Sequence, residues 1–191
     1  MLGDWYAGYV LKRIGINNIR NKEVFNLQDA KRIAILFDGT KVKDIELIKR
    51  FVAKFAKGKE MVTVLGYVNS SRKSFDHISV LHFDYFSNGE LSWFGKPKGV
   101  VIRNFLREEY DILVDLSLKV HYPLTYLAMA SLARYKVGRF RKDISIFDLK
   151  IDNKEDRSLE ALIKQVTHHL IPREGYESRI RKNGSRIDNP V

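Results

Sequence analysis

The sequence predicts a single α/β domain in which helices flank a mostly parallel sheet of about five strands. Two patterns support this prediction. Short apolar runs that end in turn residues alternate along the chain with segments whose apolar residues recur every three or four positions. Strands that alternate with helices form parallel sheets covered on both faces. The 191 residues contain no internal repeat and no low-complexity linker, which favours one domain.

The first strand, helix and second strand make a βαβ unit. An apolar run over 32–37 is followed by Asp-Gly-Thr, a turn sequence that is also expected to cap the next helix. From Val42 the apolar residues follow helical spacing while lysines occupy the other face, and Gly58 suits the end of a helix. A second apolar run over 61–68 completes the unit.

A third strand is predicted over 78–86. Asn88-Gly89 follows and predicts a tight hairpin turn to a partner strand over 91–94. The connection between the second and third strands is short for a helical crossover, so one of them is expected to run antiparallel or to lie at an edge of the sheet. A helix is predicted over 100–110.

The second half supplies two further strands and two helices. The run over 111–117 is predicted to be a buried strand, and the uncharged segment 120–133 the most buried helix. A fifth strand is predicted over 143–151. Ser158 then caps a last helix with a regular apolar stripe. This order of elements predicts a Rossmann-like or flavodoxin-like domain.

The two ends of the chain differ in composition from its body. We expect residues 1–28 to form an N-terminal helical extension and residues 29–171 to form the α/β domain. Residues 172–191 combine several Lys and Arg with almost no apolar periodicity, and we expect them to form a flexible basic tail.

The aromatic residues Trp5, Tyr6 and Tyr9 have a helical spacing that favours packing on the domain or on a partner, with peripheral membrane contact as the alternative. Basic residues follow this segment, the reverse of a secretory signal, so we expect a cytoplasmic protein. No apolar stretch approaches the roughly 20 residues that span a membrane. The absence of cysteine excludes a disulfide scaffold and a cysteine nucleophile.

Polar residues follow the predicted strands at the edge where open α/β sheets bind ligands. They are Asp38, Thr40, Asn69, Asp115 and Ser117. One hypothesis makes them the site of an enzyme that acts on a nucleotide or sugar phosphate, with the two carboxylates exchanging protons or holding a hydrated magnesium ion. The simpler interpretation assigns them to turns and helix caps.

Ser117 and His121 allow a further interpretation as a nucleophile and its base, although His121 is expected mainly to begin the following helix. The sequence has no glycine-rich phosphate loop and no zincin spacing. His168 and His169 are adjacent, so on a helix their side chains point in different directions and do not easily share a metal. We therefore assign no cofactor and no metal.

Positive charge is the strongest functional signal, since 34 Lys and Arg against 23 Asp and Glu give a net charge of +11. The leading hypothesis is a non-catalytic domain that binds a polyanion, with structured RNA such as ribosomal RNA as the expected partner. The expected phosphate contacts are Lys49, Arg50, Lys54, Lys98, Arg103, Arg139, Arg141 and Lys142. Trp93, Tyr135 and Phe140 are candidates for stacking on bases. Ordinary solubilising charge is the alternative.

Short blocks are dispersed along the chain at Ala30–Asp38, Leu65–Tyr67, Trp93–Lys98, Asp111–Ser117 and Lys136–Gly138. Together they resemble a domain family common in Bacteroidota to which no function is assigned. The resemblance extends over residues 25–171 and implies a single α/β domain of bacterial origin. It implies no catalytic residue for this chain, because none is established in the family.

Overall fold

The computed structural model describes residues 19–71, 82–142 and 146–171. Within them the chain forms a six-stranded sheet and four α-helices, which confirms the predicted α/β class. The strands are β1 (Arg32–Asp38), β2 (Met61–Val68), β3 (Phe83–Ser87), β4 (Ile112–Asp115), β5 (Tyr135–Arg139) and β6 (Leu149–Ile151). The helices are α1 (Val42–Ala53), α2 (Val100–Arg107), α3 (Tyr122–Ala130) and α4 (Leu159–Leu170). The predicted helix around Trp5, Tyr6 and Tyr9 and the predicted tail over 172–191 lie outside the described residues.

The first βαβ unit forms where the apolar runs predict it. β1 and β2 are buried over nearly their whole length, and α1 buries one stripe of Ile, Phe and Val side chains. The turn after β1 is confirmed, because the Thr40 N–H donates to Asp38 Oδ1 over 3.0 Å. The expected helix cap is wrong: Lys41 is the N-cap residue of α1, and no side chain caps this end.

All six strands are parallel and lie in the order β3-β2-β1-β4-β5-β6. β1 pairs with β2 up to Asp38, which lies opposite Tyr67, and with β4 on its other side, where Leu36 lies opposite Asp115. This is the strand order of a Rossmann-like sheet, whose two halves meet between β1 and β4. The carboxyl ends of β1 and β4 therefore border the crevice in which such folds bind ligands.

The alternation of side chains divides the core into two halves. One half surrounds Ile35 and contains the apolar stripes of α1 and α4; we call it the α1/α4 face. The other surrounds Leu36 and Leu113 and contains the apolar residues of α2 and α3; we call it the α2/α3 face. Asp38 and Asp115 lie two residues beyond Leu36 and Leu113 in their strands, so both belong to the α2/α3 face.

One strand of the second half was missed by the sequence analysis. β5 lies in the segment in which Arg139 is predicted to contact phosphates. The strand predicted over 143–151 is confined, among the described residues, to the three residues of β6. Gly138 made β5 hard to recognise. The ring of Phe147 lies where its side chain would stand, only 2.5 Å from an added Cβ. The strand is thus covered by a distant aromatic ring rather than by its own side chain.

The segment after β2 and β3 also differs in part from its prediction. β3 runs parallel to β2 and lies at the edge of the sheet, one of the two placements expected from the short connection. The predicted hairpin at Asn88-Gly89 is wrong. Asn88–Glu90 forms a 3-10 helix closed by a capping box between Ser87 and Glu90, and Leu91 makes its antiparallel bridge with Pro97 instead.

Residues 19–28 contain no helix and pack against the body of the domain. Leu27 is fully buried, and its N–H donates to the Leu170 carbonyl over 2.7 Å. Arg20 donates two hydrogen bonds of 2.7 Å to the Asp148 carboxylate. In the part of the chain that the structure describes, no helix has the length and apolar character needed to cross a membrane. The boundaries predicted for the three regions of the chain remain predictions.

Candidate functional site

An Asp–His pair connects β1 with α3 at the carboxyl edge of the sheet. Asp38 is the last residue of β1, and His121 is the N-cap residue of α3. His121 Nε2 lies 2.9 Å from Asp38 Oδ2, and the two side chains are 12% and 27% exposed. His121 therefore begins the helix, as expected, and also pairs with a residue 83 positions away, which no local pattern could show.

The pair fixes the charge of the aspartate and the tautomer of the histidine. Burial raises the pKa of Asp38, but hydrogen bonds from His121 and Thr40 outweigh this effect and lower the pKa to about 2. An ionised carboxylate can only accept a hydrogen bond, so the imidazole carries its hydrogen on Nε2. In the neutral imidazole, Nδ1 then has the lone pair that can take up a proton.

Polar side chains from the neighbouring strands extend the pair into a network. The ring of Tyr67 packs edge-on against His121 with 5.4 Å between ring centroids, and its hydroxyl donates to Asn88 Oδ1. Beside β1, the Asn69 N–H donates to Thr40 Oγ1 over 3.1 Å. These contacts join the loops after β1, β2 and β3. Tyr67 and Asn88 were not predicted as site residues, because Tyr67 occupies the interior of an apolar run and Asn88 a turn.

Asp115 and Ser117 form a second polar group at the end of β4, each only 1% exposed. The Ser117 N–H donates to Asp115 Oδ1 over 2.9 Å, whereas Asp115 Oδ2 and Ser117 Oγ have no hydrogen-bond partner. Arg141 Nη1 lies 3.8 Å from Asp115 Oδ2, an ion pair longer than a hydrogen bond. Buried polar atoms without hydrogen-bond partners are uncommon in folded proteins, and other atoms of the described residues, such as Thr125 Oγ1 and Asn153 Nδ2, share this property.

Arg139, the last residue of β5, and Arg141, two residues later, hold the loop between β4 and α3. Arg139 Nη1 donates to the Leu118 carbonyl over 2.6 Å, and Arg141 Nη2 donates to the carbonyls of Ser117 and Lys119 over 2.8 and 3.2 Å. Both arginines were predicted to contact phosphates. In the structure these donors bind the protein's own backbone, and they fix the loop that leads into α3.

The other predicted phosphate contacts lie on different sides of the sheet. Lys49, Arg50 and Lys54 lie on α1 or directly after it, on the α1/α4 face, whereas Lys98 and Arg103 lie before and on α2, on the α2/α3 face. Lys142 is exposed on the connection between β5 and β6, and Lys49 pairs with Glu46 over 2.7 Å. The two helical clusters therefore do not form one continuous surface, and phosphate binding by these residues remains a prediction.

The arrangement around Asp38 is suited to proton transfer. Asp38 and Asp115 were predicted to exchange protons or to hold magnesium. Within the described ranges, no three His, Cys, Asp or Glu side chains lie close enough to hold a metal ion. Asp38 directs its two oxygens at His121 and Thr40. A histidine oriented by an ionised aspartate can act as a general base.

Comparison with known proteins gives the family of the chain. Residues 9–171 match a family of unknown function, DUF6913. Because the match includes most of the sequence, the chain belongs to this family. No curated protein and no solved structure matches the chain. The function must therefore be inferred from the geometry of the site.

Proposed function

We propose that this member of the DUF6913 family is an enzyme that binds a nucleotide or sugar phosphate in the crevice between β1 and β4 and transfers a proton through His121. The observation that carries the proposal is the contact of 2.9 Å between His121 Nε2 and Asp38 Oδ2. The contact joins two distant parts of the chain at the point where Rossmann-like sheets bind their ligands.

His121 acts as the base of this proposed reaction through Nδ1. Asp38 accepts the Nε2–H hydrogen bond and so keeps the imidazole in one tautomer and one orientation. When Nδ1 takes a proton from the substrate, the imidazolium is stabilised by the carboxylate beside it. Return of the proton to an oxygen of the product restores the starting state.

The surroundings of the pair favour an anionic substrate. The first turn of α3 begins at this edge, and the side chain of its N-cap residue His121 makes no capping hydrogen bond. Helix N-termini attract phosphates and carboxylates, because their N–H groups and the helix dipole both favour negative charge. The net charge of +11 also favours approach of an anion.

The test uses the full chain with a panel of nucleoside monophosphates and sugar phosphates. Thermal unfolding measures binding, and ³¹P NMR of the same mixtures measures conversion. We expect at least one compound to raise the Tm and to be converted. His121→Gln should lower the rate by about 10²–10⁴-fold, the usual contribution of a general base. Asp38→Asn should also lower the rate, because the imidazole loses its fixed tautomer.

His168→Gln is the matched control, because His168 is exposed on α4 on the other face of the sheet. It should leave binding and rate unchanged. The proposal fails if no compound in the panel binds, or if the His121 and His168 variants convert the substrate at the same rate.

A second candidate function is binding of structured RNA such as ribosomal RNA by a cytoplasmic protein of Bacteroidota. The exposure of Arg50 and Lys54 on one side of the domain, away from the crevice, favours it. The double variant Arg50→Glu, Lys54→Glu should lose RNA that the unchanged protein retains at low salt. Arg107→Glu is the control, because Arg107 is exposed on α2, on the opposite face, and is not one of the predicted phosphate contacts. Retention that survives the paired change at positions 50 and 54 would contradict this function.

A further inference from the structure

We infer that the hairpin Leu91–Pro97 forms a second wall of the crevice, and that Trp93 stacks on the base of a nucleotide whose phosphate lies near Lys98. This inference rests on the proposed function. It narrows the substrate from the two classes named there to the class that carries an aromatic base.

Trp93 is 92% exposed, which the stability of the fold does not explain. Burying an indole ring is strongly favourable, so domains usually cover this side chain. Its ring makes an edge contact with the neighbouring Phe94, 5.2 Å between ring centroids, and leaves most of its surface to solvent. Exposed aromatic side chains of this kind are typical of binding sites.

Hydrogen bonds order the backbone of the hairpin that carries Trp93. An antiparallel bridge closes the hairpin, the Ser92 N–H donates to the Lys96 carbonyl over 2.8 Å, and the Gly95 N–H donates to the Ser92 carbonyl over 2.9 Å. Gly95 has a φ of 83°, a conformation that a residue with a side chain rarely adopts. Because the loop is already ordered, a ligand that stacks on Trp93 loses little free energy to loop ordering.

The hairpin lies beside the first turns of α3. A Cβ added at Gly95 would stand 3.2 Å from the ring of Tyr122, which is the residue after His121. One turn further along α3, the Lys96 ammonium lies 5.5 Å from the centroid of the Tyr126 ring. The contact with Tyr122 places the hairpin against the residue that directly follows His121 in the chain.

The charges on the hairpin favour a ligand with both a flat ring and a phosphate. Lys96 and Lys98 are exposed on either side of Pro97. The Lys98 N–H donates to the Glu90 carbonyl over 2.9 Å, which fixes the backbone from which its ammonium group extends. A nucleotide offers a base for Trp93 and a phosphate for Lys98, whereas a sugar phosphate lacks the aromatic ring.

The experiment uses fluorescence of Trp93. The chain has two tryptophans, so Trp5→Phe leaves Trp93 as the single reporter. We expect adenosine and guanosine monophosphates to quench this fluorescence and ribose 5-phosphate to leave it unchanged. Trp93→Ala should weaken nucleotide binding about tenfold or more, judged by thermal shift, because stacking on the base is lost. Its affinity for ribose 5-phosphate should equal that of the unchanged protein.

Phe25→Leu is the matched control, because Phe25 is also a partly exposed aromatic residue with a cation, the Arg134 guanidinium, over its ring, and it packs on the α1/α4 face. It should leave nucleotide affinity unchanged. If Trp93→Ala binds nucleotides and ribose 5-phosphate with the same affinities as the unchanged protein, the inference is overturned while the proposed function stands. If neither compound binds, both are overturned. Quenching by an oligoribonucleotide alone would overturn the inference and favour RNA binding.

Discussion

The two faces of the sheet are built from different kinds of core. On the α1/α4 face, the strands and helices contribute a continuous apolar cluster around residues such as Ile35 and Phe51. Among the described residues, the buried side chains of charged residue types are Asp115 and Lys136. Both side chains lie on the α2/α3 face of the sheet. Proteins depart from apolar packing mainly where function requires it. The α1/α4 face thus serves mainly stability, whereas the α2/α3 face also holds the buried charged side chains and the proposed site.

The largest loss of stability is expected on the α1/α4 face. Phe51 is 1% exposed, and its ring packs edge-on against Phe55 with 5.1 Å between centroids. Phe51→Ala leaves a cavity and should lower the free energy of unfolding by about 3–5 kcal/mol in a denaturant titration. The affinity of the folded variant for the ligand found with the panel should not change. A loss of affinity in the folded variant would show that this face also shapes the site.

On the α2/α3 face, replacing a buried residue is expected to stabilise the protein. Burial and the nearby charge of Arg20 lower the pKa of Lys136 to about 7, with Asp148 acting in the opposite direction. The folded state therefore binds fewer protons than the unfolded state between pH 7 and the ordinary pKa of 10.5, and stability rises with pH across this range. Lys136→Met should raise the free energy of unfolding at pH 7 by about 1–4 kcal/mol. The gain should shrink towards pH 10.

One contact works against this expectation. Lys136 Nζ donates to the Met129 carbonyl over 3.2 Å, near the end of α3, where a cation is favourable. The control is Lys164→Met at an exposed position on α4, which should change stability by no more than about 0.5 kcal/mol. If Lys136→Met destabilises the domain at pH 7, the contact with α3 outweighs the cost of burying the ammonium group. Replacing a buried residue would then destabilise both faces, contrary to the difference expected here.

Replacing Asp38 should have a smaller effect on the free energy of unfolding, and this effect should depend on pH only in the acid range. Its pKa of about 2 lies below the ordinary value of 3.8, so its contribution is complete above about pH 4 and is lost as the pH falls through the folded pKa. The shift corresponds to roughly 2 kcal/mol. When the free energy of unfolding is measured between pH 2 and 6, Asp38→Asn should not show the loss of stability that the unchanged protein shows at the acid end. Glu155→Gln, exposed on the loop after β6, should show it.

The sequence predicted what depends on local pattern. The apolar runs and the helical stripes placed β1, β2, α1 and α4, because burial of a regular face leaves a period in the sequence. The predicted site residues Asp38 and Asp115 lie on one face and at one edge, since parallel strands end together.

The features of the fold and the site that the sequence did not predict depend on contacts between distant residues. The partner of Asp38 is His121, 83 positions away, and no sequence period encodes such a contact. β5 escaped detection because Lys136 and Gly138 interrupt its apolar run and Phe147 supplies the missing cover. Arg141 was predicted to contact phosphates, but its burial against the loop after β4 is a property of the folded chain.

The smallest effect on stability is expected at two buried serines, Ser117 and Ser131. It tests whether the Ser117 hydroxyl serves the fold or a ligand. Ser131 and Ser117 are both buried, but Ser131 Oγ accepts a hydrogen bond of 3.1 Å from the Ala133 N–H, whereas Ser117 Oγ has no partner. Ser131→Ala should therefore cost about 0.5–1.5 kcal/mol in a denaturant titration, and Ser117→Ala should cost nothing or stabilise slightly. We expect Ser117→Ala nevertheless to weaken binding of the ligand found with the panel, because Ser117 Oγ lies after β4, beside the proposed crevice, and its hydroxyl can bond a ligand there. Unchanged ligand affinity in Ser117→Ala would restrict the site to Asp38 and His121.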